Sequence, residues 1–321
     1  MRIVHWTSWA KSGMNRVAED IVNVEKSLGF DSFLINRQET TEAQDKGVTA
    51  DIHVAHTFIP SYLWHEAKVV WVAHTTPEHS FRFAVEEGLG KGYGAGDSWM
   101  LMQHYLQNAD AVVTFWERHA KIWESLSDKG KPIYCFPLGV DKKFWKPQQS
   151  LGKYAGKPSV FSAETPYPIK SPLDLINAWG LVNREVPDAV LHLVRFIYKL
   201  HRWFFPLLNR IGTSHSAFLS PDTFSHAELC NAFNSIDYYI GLVRYGDYNR
   251  LSLEAKACGC KTISYRGNPY SDYWITEGDQ RIIAQELIDI FTGKTEPREH
   301  EEVPNVEDTA KNLIKVYERI A

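Results

Sequence analysis

The chain has 321 residues, of which 44% are hydrophobic and 23% are charged, and this balance is typical of globular domains. Its length is sufficient for two domains with separate hydrophobic cores. A net charge of −4 gives no general attraction to nucleic acid or to an acidic membrane, so we expect no nucleic-acid partner.

The N-terminal sequence "MRIVHWTSWAKSG" has no long apolar segment after its arginine. No run of about 18 apolar residues, as a membrane-spanning helix requires, occurs anywhere in the sequence. We therefore expect neither a signal peptide nor a membrane-spanning helix. The four cysteines, at positions 135, 230, 258 and 260, do not form the framework of a small secreted domain. We expect a cytoplasmic protein.

Strand-like and helix-like segments alternate in the first half of the chain. The helical pattern at residues 12–30 places Val17, Ile21, Val24 and Leu28 at spacings of three and four residues. The strand candidates are short, apolar and rich in β-branched residues, and they cover residues 2–6, 31–37, 51–56, 68–74 and 109–115. Strands separated by helices predict a parallel sheet with both faces covered.

The alternation repeats after the passage "DKKFWKPQQSLGKYAGKP", residues 141–158, which is typical of a linker. The strand candidates of this half lie at 158–163, 189–196, 237–245 and 261–265, and the helix candidates at 171–186, 198–212 and about 251–258. We predict an α/β protein of two Rossmann-like, doubly wound domains, residues 1–152 and 153–304, with an intervening cleft. A last helix at 305–321, capped by Asn305 or Asp308, packs on a domain surface.

The segment "RLSLEAKACGCKTISY", residues 250–265, predicts a short helix that Asn249 or Ser252 caps, followed by a strand. A helix that begins at the carboxyl end of a strand presents N–H groups that suit a phosphate. The carboxylate of Glu254 can accept hydrogen bonds from two neighbouring hydroxyl groups, such as those of a ribose. The alternative is a glutamate that complements the helix dipole, and the residues alone leave both interpretations open.

The same segment, preceded by "GLVRYGDYN", resembles the donor-binding signature of GT-B glycosyltransferases, in particular the retaining family 4. In that family a glutamate is followed, after seven residues, by a second glutamate in "EAmAcG.PVI". Further segments resemble other parts of the family in the expected order: "SGMNRVAEDIVNVEKSLGFD", "ADAVVTFWERHAKIW" with "PIYCFPLGVDKKFWKP", "PSVFSAETPYPIKSPLDLINAWGLV" and "SAFLSPDTFSHAELCNAFNSIDYYIGLVRY". The resemblance implies the GT-B fold, with the acceptor on the N-terminal domain, the nucleotide-sugar donor on the C-terminal domain and the last helix crossing back to the N-terminal domain.

The resemblance also implies three catalytic positions. Glu254 would hold the ribose hydroxyl groups, Lys170 would stabilise the diphosphate as negative charge develops on it, and His74 would position the transferred sugar. The alternative for His74 is a polar residue at the end of a strand, satisfied by the backbone.

The donor site implied by the resemblance includes a glycine loop that approaches the phosphates and a segment that flanks the base. Its positions are Gly13, Phe218, Leu219, Ser220, Asp247, Asn249, Arg250, Leu251 and Ser252.

By this resemblance the chain is a retaining glycosyltransferase that transfers a sugar from a UDP- or GDP-sugar to a saccharide, lipid-linked or protein acceptor, without a metal or other cofactor. Two positions depart from the family pattern. Gly246 occupies the place of the first glutamate, with Asp247 beside it, and Glu164 or Thr165 occupies the place of an arginine. These departures keep open the alternative of a catalytically impaired nucleotide-sugar or carbohydrate-binding protein of the same fold. A nucleotide-sugar epimerase is a further alternative within the fold.

Three further patterns have competing interpretations. Five histidines within residues 53–79 suggest a metal site, but none stands in H-E-x-x-H and no D-x-D pair occurs, so we predict no metal. Cys258 and Cys260 form C-x-C without a second pair, which favours packing over a metal or redox site. The basic face of the helix candidate in residues 195–212 is compatible with weak contact with a membrane surface or with a solvated face over a packed core.

Overall fold

The computed structural model describes residues 1–7, 13–37, 47–57, 59, 61–77, 95–128, 130–149, 152, 154–163, 170–194, 217–220, 224–244 and 249–321. The chain divides into two compact units. The first unit is formed by Met1–Asp141 together with Pro304–Ala321, and the second by Lys142–Val303.

The boundary between the units lies at Asp141, whereas the sequence places it at 152. Residues 142–149 belong to the second unit because their contacts are made there. The backbone N of Gln148 donates to Oδ1 of Asn234 at 2.7 Å, and the ring of Trp145 packs against that of Phe233 with centroids 6.1 Å apart.

A parallel sheet forms the centre of the first unit, in the order β2-β1-β3-β4-β5-β6. The strands are β1 (Arg2–Thr7), β2 (Asp31–Asn36), β3 (Ile52–Ala55), β4 (Lys68–Val72), β5 (Ala111–Thr114) and β6 (Ile133–Cys135). The helices are α1 (Gly13–Ser27), α2 (Ala95–Asn108), α3 (Glu117–Leu126) and α8 (Val306–Ile320), with a 3-10 helix at Ser61–His65. Strands β3 and β5 are buried along their whole length, as expected of central parallel strands that are covered on both faces.

A second parallel sheet forms the centre of the second unit, in the order β12-β11-β10-β7-β8-β9. The strands are β7 (Ser159–Ser162), β8 (Val190–Val194), β9 (Ala217–Ser220), β10 (Tyr238–Gly241), β11 (Lys261–Tyr265) and β12 (Tyr273–Ile275). The helices are α4 (Pro172–Glu185), α5 (His226–Ser235), α6 (Arg250–Ala257) and α7 (Gln280–Phe291).

Helix α1 shows how local sequence determines an element. Val17 and Ile21 are buried on its inner face, where the predicted apolar stripe places them. The helix ends at Ser27 because Gly29 adopts φ +89°, a left-handed conformation that glycine accepts without steric cost. Leu28, the last residue of the predicted stripe, therefore lies outside the helix and is 45% exposed.

Three strands, β6, β9 and β12, were missed by the period-based prediction, and several predicted strands were too long. Strands β6 and β12 have three residues each, which is too short for an alternating pattern to be recognised. Of the described part of the candidate at 237–245, residues 237–244, Tyr238–Gly241 form a strand. The segment 195–212, with its basic residues Arg195, Lys199 and Arg202, lies outside the described residues.

The C-terminal helix α8 belongs to the first unit, where it packs on α1. Asn305 is its N-cap, and its Oδ1 accepts a hydrogen bond from the backbone N of Glu307 at 3.3 Å. Leu313 and Val316 are buried on its inner face. Near the end of the helix, the Tyr317 hydroxyl donates to Oε1 of Glu25 on α1 at 3.0 Å.

Each sheet has one place where the direction of strand progression reverses. In the first unit the chain forms β2 on one side of β1 and then β3 on the other. In the second unit it forms β8 and β9 on one side of β7 and then β10 on the other. Ligands of doubly wound proteins bind at the carboxyl ends of the strands at such a switch point. Within the described ranges, no helix is both long and apolar enough to cross a bilayer.

Candidate functional site

The switch point of the second unit brings several predicted donor-site positions to one edge of the sheet. The chain leaves β7 toward Lys170 and the start of α4, and it leaves β10 toward Asn249 and the start of α6. Because β7 and β10 are hydrogen-bonded neighbours, their carboxyl ends are adjacent. The predicted positions at the start of α6 are Asn249, Arg250, Leu251, Ser252 and Glu254.

Helix α6 holds Glu254 in the interior of the unit. Its side chain is fully buried, and Oε1 accepts a hydrogen bond from Nε of Arg250, one helical turn earlier, at 2.7 Å. Arg250 itself is only 9% exposed. The carboxylate that was expected to receive ribose hydroxyl groups is thus engaged by an arginine of its own helix.

The first turn of α6 is capped by a side chain. Oδ1 of Asn249 accepts hydrogen bonds from the backbone N of Ser252 at 2.8 Å and from its hydroxyl at 3.0 Å. Asn249 is therefore the cap, one of the two residues that the sequence allowed. The N–H of Ser252, one of the groups expected to face a diphosphate, is bound to this cap.

Lys170 precedes a strained turn. Ser171 has φ 47° and ψ 40°, a left-handed conformation that is unfavourable for a residue with a side chain, and it is buried. Its hydroxyl accepts a hydrogen bond from Nε of Arg244 at 2.9 Å. Lys170 is half-buried at the edge of this turn.

Arg244 is a candidate that the sequence analysis missed. It follows β10, and its Nη2 donates to Oδ2 of Asp174 on α4 at 2.8 Å, while Nε lies 3.8 Å from Oε1 of Glu277. The Arg244 guanidinium is thereby fixed at the switch point, beside Ser171, the residue that follows Lys170. The sequence did not indicate this role, because Arg244 lies inside the strand candidate at 237–245, whereas β10 ends at Gly241.

Other predicted donor-site positions do not lie at this switch point. Phe218, Leu219 and Ser220 belong to β9, the edge strand, which β8 separates from β7. Gly13 is the first residue of α1 in the first unit, and a Cβ built on it meets nothing within 4 Å. Asp247 lies outside the described residues, as do Gly246, Glu164 and Thr165.

His74 lies two residues beyond β4, at the carboxyl edge of the first unit's sheet, and it is half-buried. Its Nε2 is 3.0 Å from Nδ1 of His56, so its partner is a side chain rather than the backbone. Burial, together with the nearby His119, lowers the pKa of His74 to about 3. The imidazole is therefore neutral at physiological pH.

Three of the crowded histidines, His53, His56 and His74, have side-chain partners. His53 accepts a hydrogen bond from Nε1 of Trp6 at 3.1 Å, and His56 lies between His5 and His74. Among the side chains that the structure describes, no group of three or more His, Cys, Asp and Glu is arranged to hold a metal ion. His79 lies outside the described residues.

The C-x-C cysteines lie in the interior of the second unit. Cys258 and Cys260 are 3% and 4% exposed, and neither forms a disulfide. Sγ of Cys258 is 3.6 Å from Sγ of Cys230 on α5. Burial raises the pKa of both Cys258 and Cys260, which keeps them as thiols. These are properties of packed cysteines.

We expect the free energy of unfolding to fall below pH 6.5. Burial lowers the pKa of His53 from 6.5 to about 4, that of His74 to about 3 and that of His56 well below 6.5. Below pH 6.5 the unfolded chain protonates these rings and the folded chain does not, so stability that is fully present above that pH is lost as the pH falls toward the folded-state values. Each ring contributes up to about 1.4 kcal/mol per pH unit, so the loss between pH 7.5 and 5.5 is about 4 kcal/mol.

Urea unfolding followed by circular dichroism over this pH range measures that loss. The variant His53→Gln should show a slope that is smaller by about one third, because one of three rings no longer titrates. An unchanged slope in the variant would contradict the assignment of the effect to these buried histidines.

Comparison with known proteins identifies the fold. The sequence matches no protein-family model and no curated protein. HepE of Anabaena, solved in complex with UDP-glucose, is 13% identical, and the likeness covers 100% of this chain and 98% of that chain with a TM-score of 0.66. Sucrose-phosphate synthase from Thermosynechococcus elongatus is 12% identical, with 100% and 96% covered and a TM-score of 0.70. The chain has the GT-B fold.

A third GT-B structure is similar over an equally long range. The catalytic domain of starch synthase IV from Arabidopsis thaliana, solved with ADP and acarbose, is 10% identical, with 100% of this chain and 99% of that chain covered and a TM-score of 0.70. The two Rossmann-like α/β units that the sequence predicted are thereby confirmed.

Proposed function

We propose that the chain is a retaining, metal-independent glycosyltransferase that transfers a sugar from a nucleotide-sugar donor to an acceptor hydroxyl group. The observation that carries the proposal is the full-length likeness to GT-B proteins, among them a sucrose-phosphate synthase, a starch synthase solved with ADP and a protein solved with UDP-glucose. The family 4 resemblance of the sequence motifs supports the retaining course. The proposal includes a UDP- or GDP-sugar, a saccharide, lipid-linked or protein acceptor and a cytoplasmic location.

Donor binding is proposed at the switch point of the second unit. Lys170 and the start of α6 flank the adjacent carboxyl ends of β7 and β10, where doubly wound proteins bind nucleotides. A diphosphate needs cationic and N–H partners, and it needs more of them as negative charge develops on the leaving group. Arg244 is fixed within the same unit and supplies a second cation in place of the arginine that the motif lacks.

A second candidate function is that of a nucleotide-sugar-binding protein with impaired catalysis. The observation that favours it is the complete burial of Glu254 and its hydrogen bond to Arg250. Gly246 at the position of the first glutamate also favours it. Both functions require nucleotide binding, and only the first requires transfer.

Nucleotide binding is tested by thermal unfolding in the presence of UDP, GDP, ADP and their glucose conjugates. A ligand at about 100 times its Kd adds about 2.7 kcal/mol of stability, which corresponds to roughly 5 °C or more for units of this size. Lys170→Met should reduce the shift caused by the diphosphates, whereas Lys146→Met, which removes an exposed lysine of the same unit, should not. If none of these nucleotides shifts the transition, the proposed function is wrong.

Transfer is tested separately with radiolabelled nucleotide sugars and a panel of saccharide, lipid-linked and peptide acceptors. Incorporation of label with retention of the anomeric configuration, unchanged in excess EDTA, is the expected result. Binding of the donor without transfer or hydrolysis across the panel would favour the second candidate.

A further inference from the structure

A chain of hydrogen bonds crosses the first unit and ends at His74. Oε2 of Glu25 lies 2.9 Å from Nε2 of His5, and Nδ1 of His5 lies 3.0 Å from Nε2 of His56. Nδ1 of His56 lies 3.0 Å from Nε2 of His74. Every ring nitrogen of the two inner histidines is therefore used, and Nδ1 is the only ring nitrogen of His74 outside the chain.

The position of this chain follows from the sheet order. His5 is in β1, His56 directly follows β3 and His74 follows β4, and these three strands are neighbours in the sheet. The three rings are therefore placed side by side, with centroids 5.2 Å apart for His5 and His56 and 5.3 Å apart for His56 and His74. Glu25 reaches His5 from α1, which covers this sheet.

Glu25 is the fixed end of the chain. Its carboxylate is fully buried, and it receives two further hydrogen bonds, from the Tyr317 hydroxyl to Oε1 at 3.0 Å and from the Ser32 hydroxyl to Oε2 at 2.6 Å. An ionised carboxylate only accepts hydrogen bonds, so His5 must donate to it through Nε2.

For three neutral rings, the direction of every other bond follows by counting donors and acceptors. A neutral imidazole has one N–H, so His5 with its proton on Nε2 accepts at Nδ1. His56 must then donate through Nε2 and accept at Nδ1, which requires His74 to donate through Nε2. Nδ1 of His74 is consequently unprotonated. Burial and the neighbouring rings, which include His119, disfavour an additional positive charge on His56 and His74.

We propose that Glu25, His5 and His56 are positioning residues that fix His74 in the Nε2–H tautomer, with Nδ1 as a hydrogen-bond acceptor for a substrate hydroxyl group. The identity of that hydroxyl group as part of a sugar rests on the proposed function, whereas the tautomer does not. The Glu25 carboxylate, which is separated from His74 by the rings of His5 and His56, thus determines whether Nδ1 of His74 accepts or donates a hydrogen bond. If His74 were held by the backbone alone, its tautomer would not depend on Glu25.

The substitution Glu25→Gln gives the inference a specific consequence. A glutamine amide placed at Oε2 donates both of its N–H groups, to His5 and to Ser32, while its oxygen still accepts from Tyr317. The opposite orientation would leave an N–H group buried without a partner, which is unfavourable. His5 then accepts at Nε2 and donates at Nδ1, and the reversal passes through His56, so that His74 carries its proton on Nδ1.

The experiment is two-dimensional 15N–1H NMR of the histidine rings in the ligand-free protein at pH 7.5, with each ring assigned from its single His→Gln variant. In the wild type, the three chain histidines should show protonated Nε2 and unprotonated Nδ1. Tyr317→Phe removes one donor but keeps the carboxylate, so it should show the same pattern. Glu25→Gln should invert the pattern in all three rings.

The inference is overturned if wild-type His74 carries its proton on Nδ1 or is doubly protonated. It is also overturned if Glu25→Gln folds and leaves the His74 tautomer unchanged. Should Glu25→Gln fail to fold, the wild-type and Tyr317→Phe spectra decide the question. Nucleotide binding is measured separately by thermal shift. A failure of the proposed function can therefore be distinguished from a failure of the tautomer assignment.

Discussion

Replacement of Gly139 by alanine is expected to destabilise the first unit by about 3 kcal/mol or more, because a rigid backbone occupies the space of the new methyl group. A Cβ at this position would lie within van der Waals overlap of the backbone of Asn305 and Val306. Val140 pairs with the same segment through two hydrogen bonds, from its N to the Pro304 oxygen and from Val306 N to its own oxygen, each 3.1 Å long. Neither chain can move without breaking this pairing.

The consequence of the Gly139 substitution extends to α8. The backbone N of Gly139 donates to Oγ1 of Thr309 in the first turn of that helix at 2.8 Å, and Thr309 donates to the Pro137 oxygen at 3.0 Å. Displacement of this segment releases the helix that carries Tyr317. We therefore expect loss of amide protection in α8 as well as a lower urea midpoint.

Hydrogen exchange and urea unfolding measure the two effects of Gly139→Ala. The control is Gly180→Ala, the same change at an exposed position of α4 where a Cβ meets nothing within 4 Å. That variant should be unchanged or slightly stabilised, by up to about 1 kcal/mol, because alanine favours a helix. A Gly139→Ala protein with normal protection of α8 would show that the backbone contact is not tight in solution.

The fold was predictable because the apolar patterns of strands and helices can be recognised within short stretches of the sequence. Central strands such as β4, in "KVVWV", are continuous apolar runs, and α1 has an apolar stripe with a glycine after it. The unit boundary was not predictable in the same way. Residues 142–149 have the composition of a linker, and their tertiary contacts, among them those with Asn234 and Phe233, assign them to the second unit.

The candidate site was predictable only where it follows from chain order. Motifs placed Lys170 and the start of α6 after two separate strands, and the sheet order of the structure brings them to one edge. The spacing of Arg250 and Glu254 allows an i, i+4 ion pair to be predicted from the sequence. The burial of this pair could not be predicted, because burial depends on residues distant in sequence.

The histidine chain depends even more on tertiary structure. Glu25 lies four residues after Ile21, on the buried face of α1, and this position was a signal that a carboxylate enters the core. Its partners, however, come from β1 and from the distant C-terminal helix. No local pattern indicates that His5, His56 and His74 lie side by side, because this follows from the order in which three strands pair.

The substitution Glu254→Leu is expected to cost about 3 to 5 kcal/mol, because it removes the carboxylate that Nε of the buried Arg250 donates to. The pair lies inside α6, and its side chains are 8% and 0% exposed. A solvated ion pair should behave differently. Lys294→Met, which removes the exposed partner of Asp289 at 3.6 Å, should change stability by less than about 1 kcal/mol.

A double-mutant cycle separates the ion pair from the packing of the two side chains. Arg250→Met combined with Glu254→Leu replaces both charges with apolar groups of similar length, and buried pairs replaced in this way are often neutral in stability. We expect the double variant to unfold within about 1 kcal/mol of the wild type and each single variant to be much less stable. Additive single effects would indicate that the pair is not coupled in solution.

The double variant then tests the donor site without the complication of a less stable protein. If Glu254 receives ribose hydroxyl groups when a nucleotide binds, a well-folded protein without this carboxylate should lose the thermal shift caused by UDP, GDP or ADP. A double variant that retains the full shift would assign the pair a purely structural role within α6. The donor would then have to bind without Glu254, and Lys170 and Arg244 would remain as the charged candidates of the second unit's switch point.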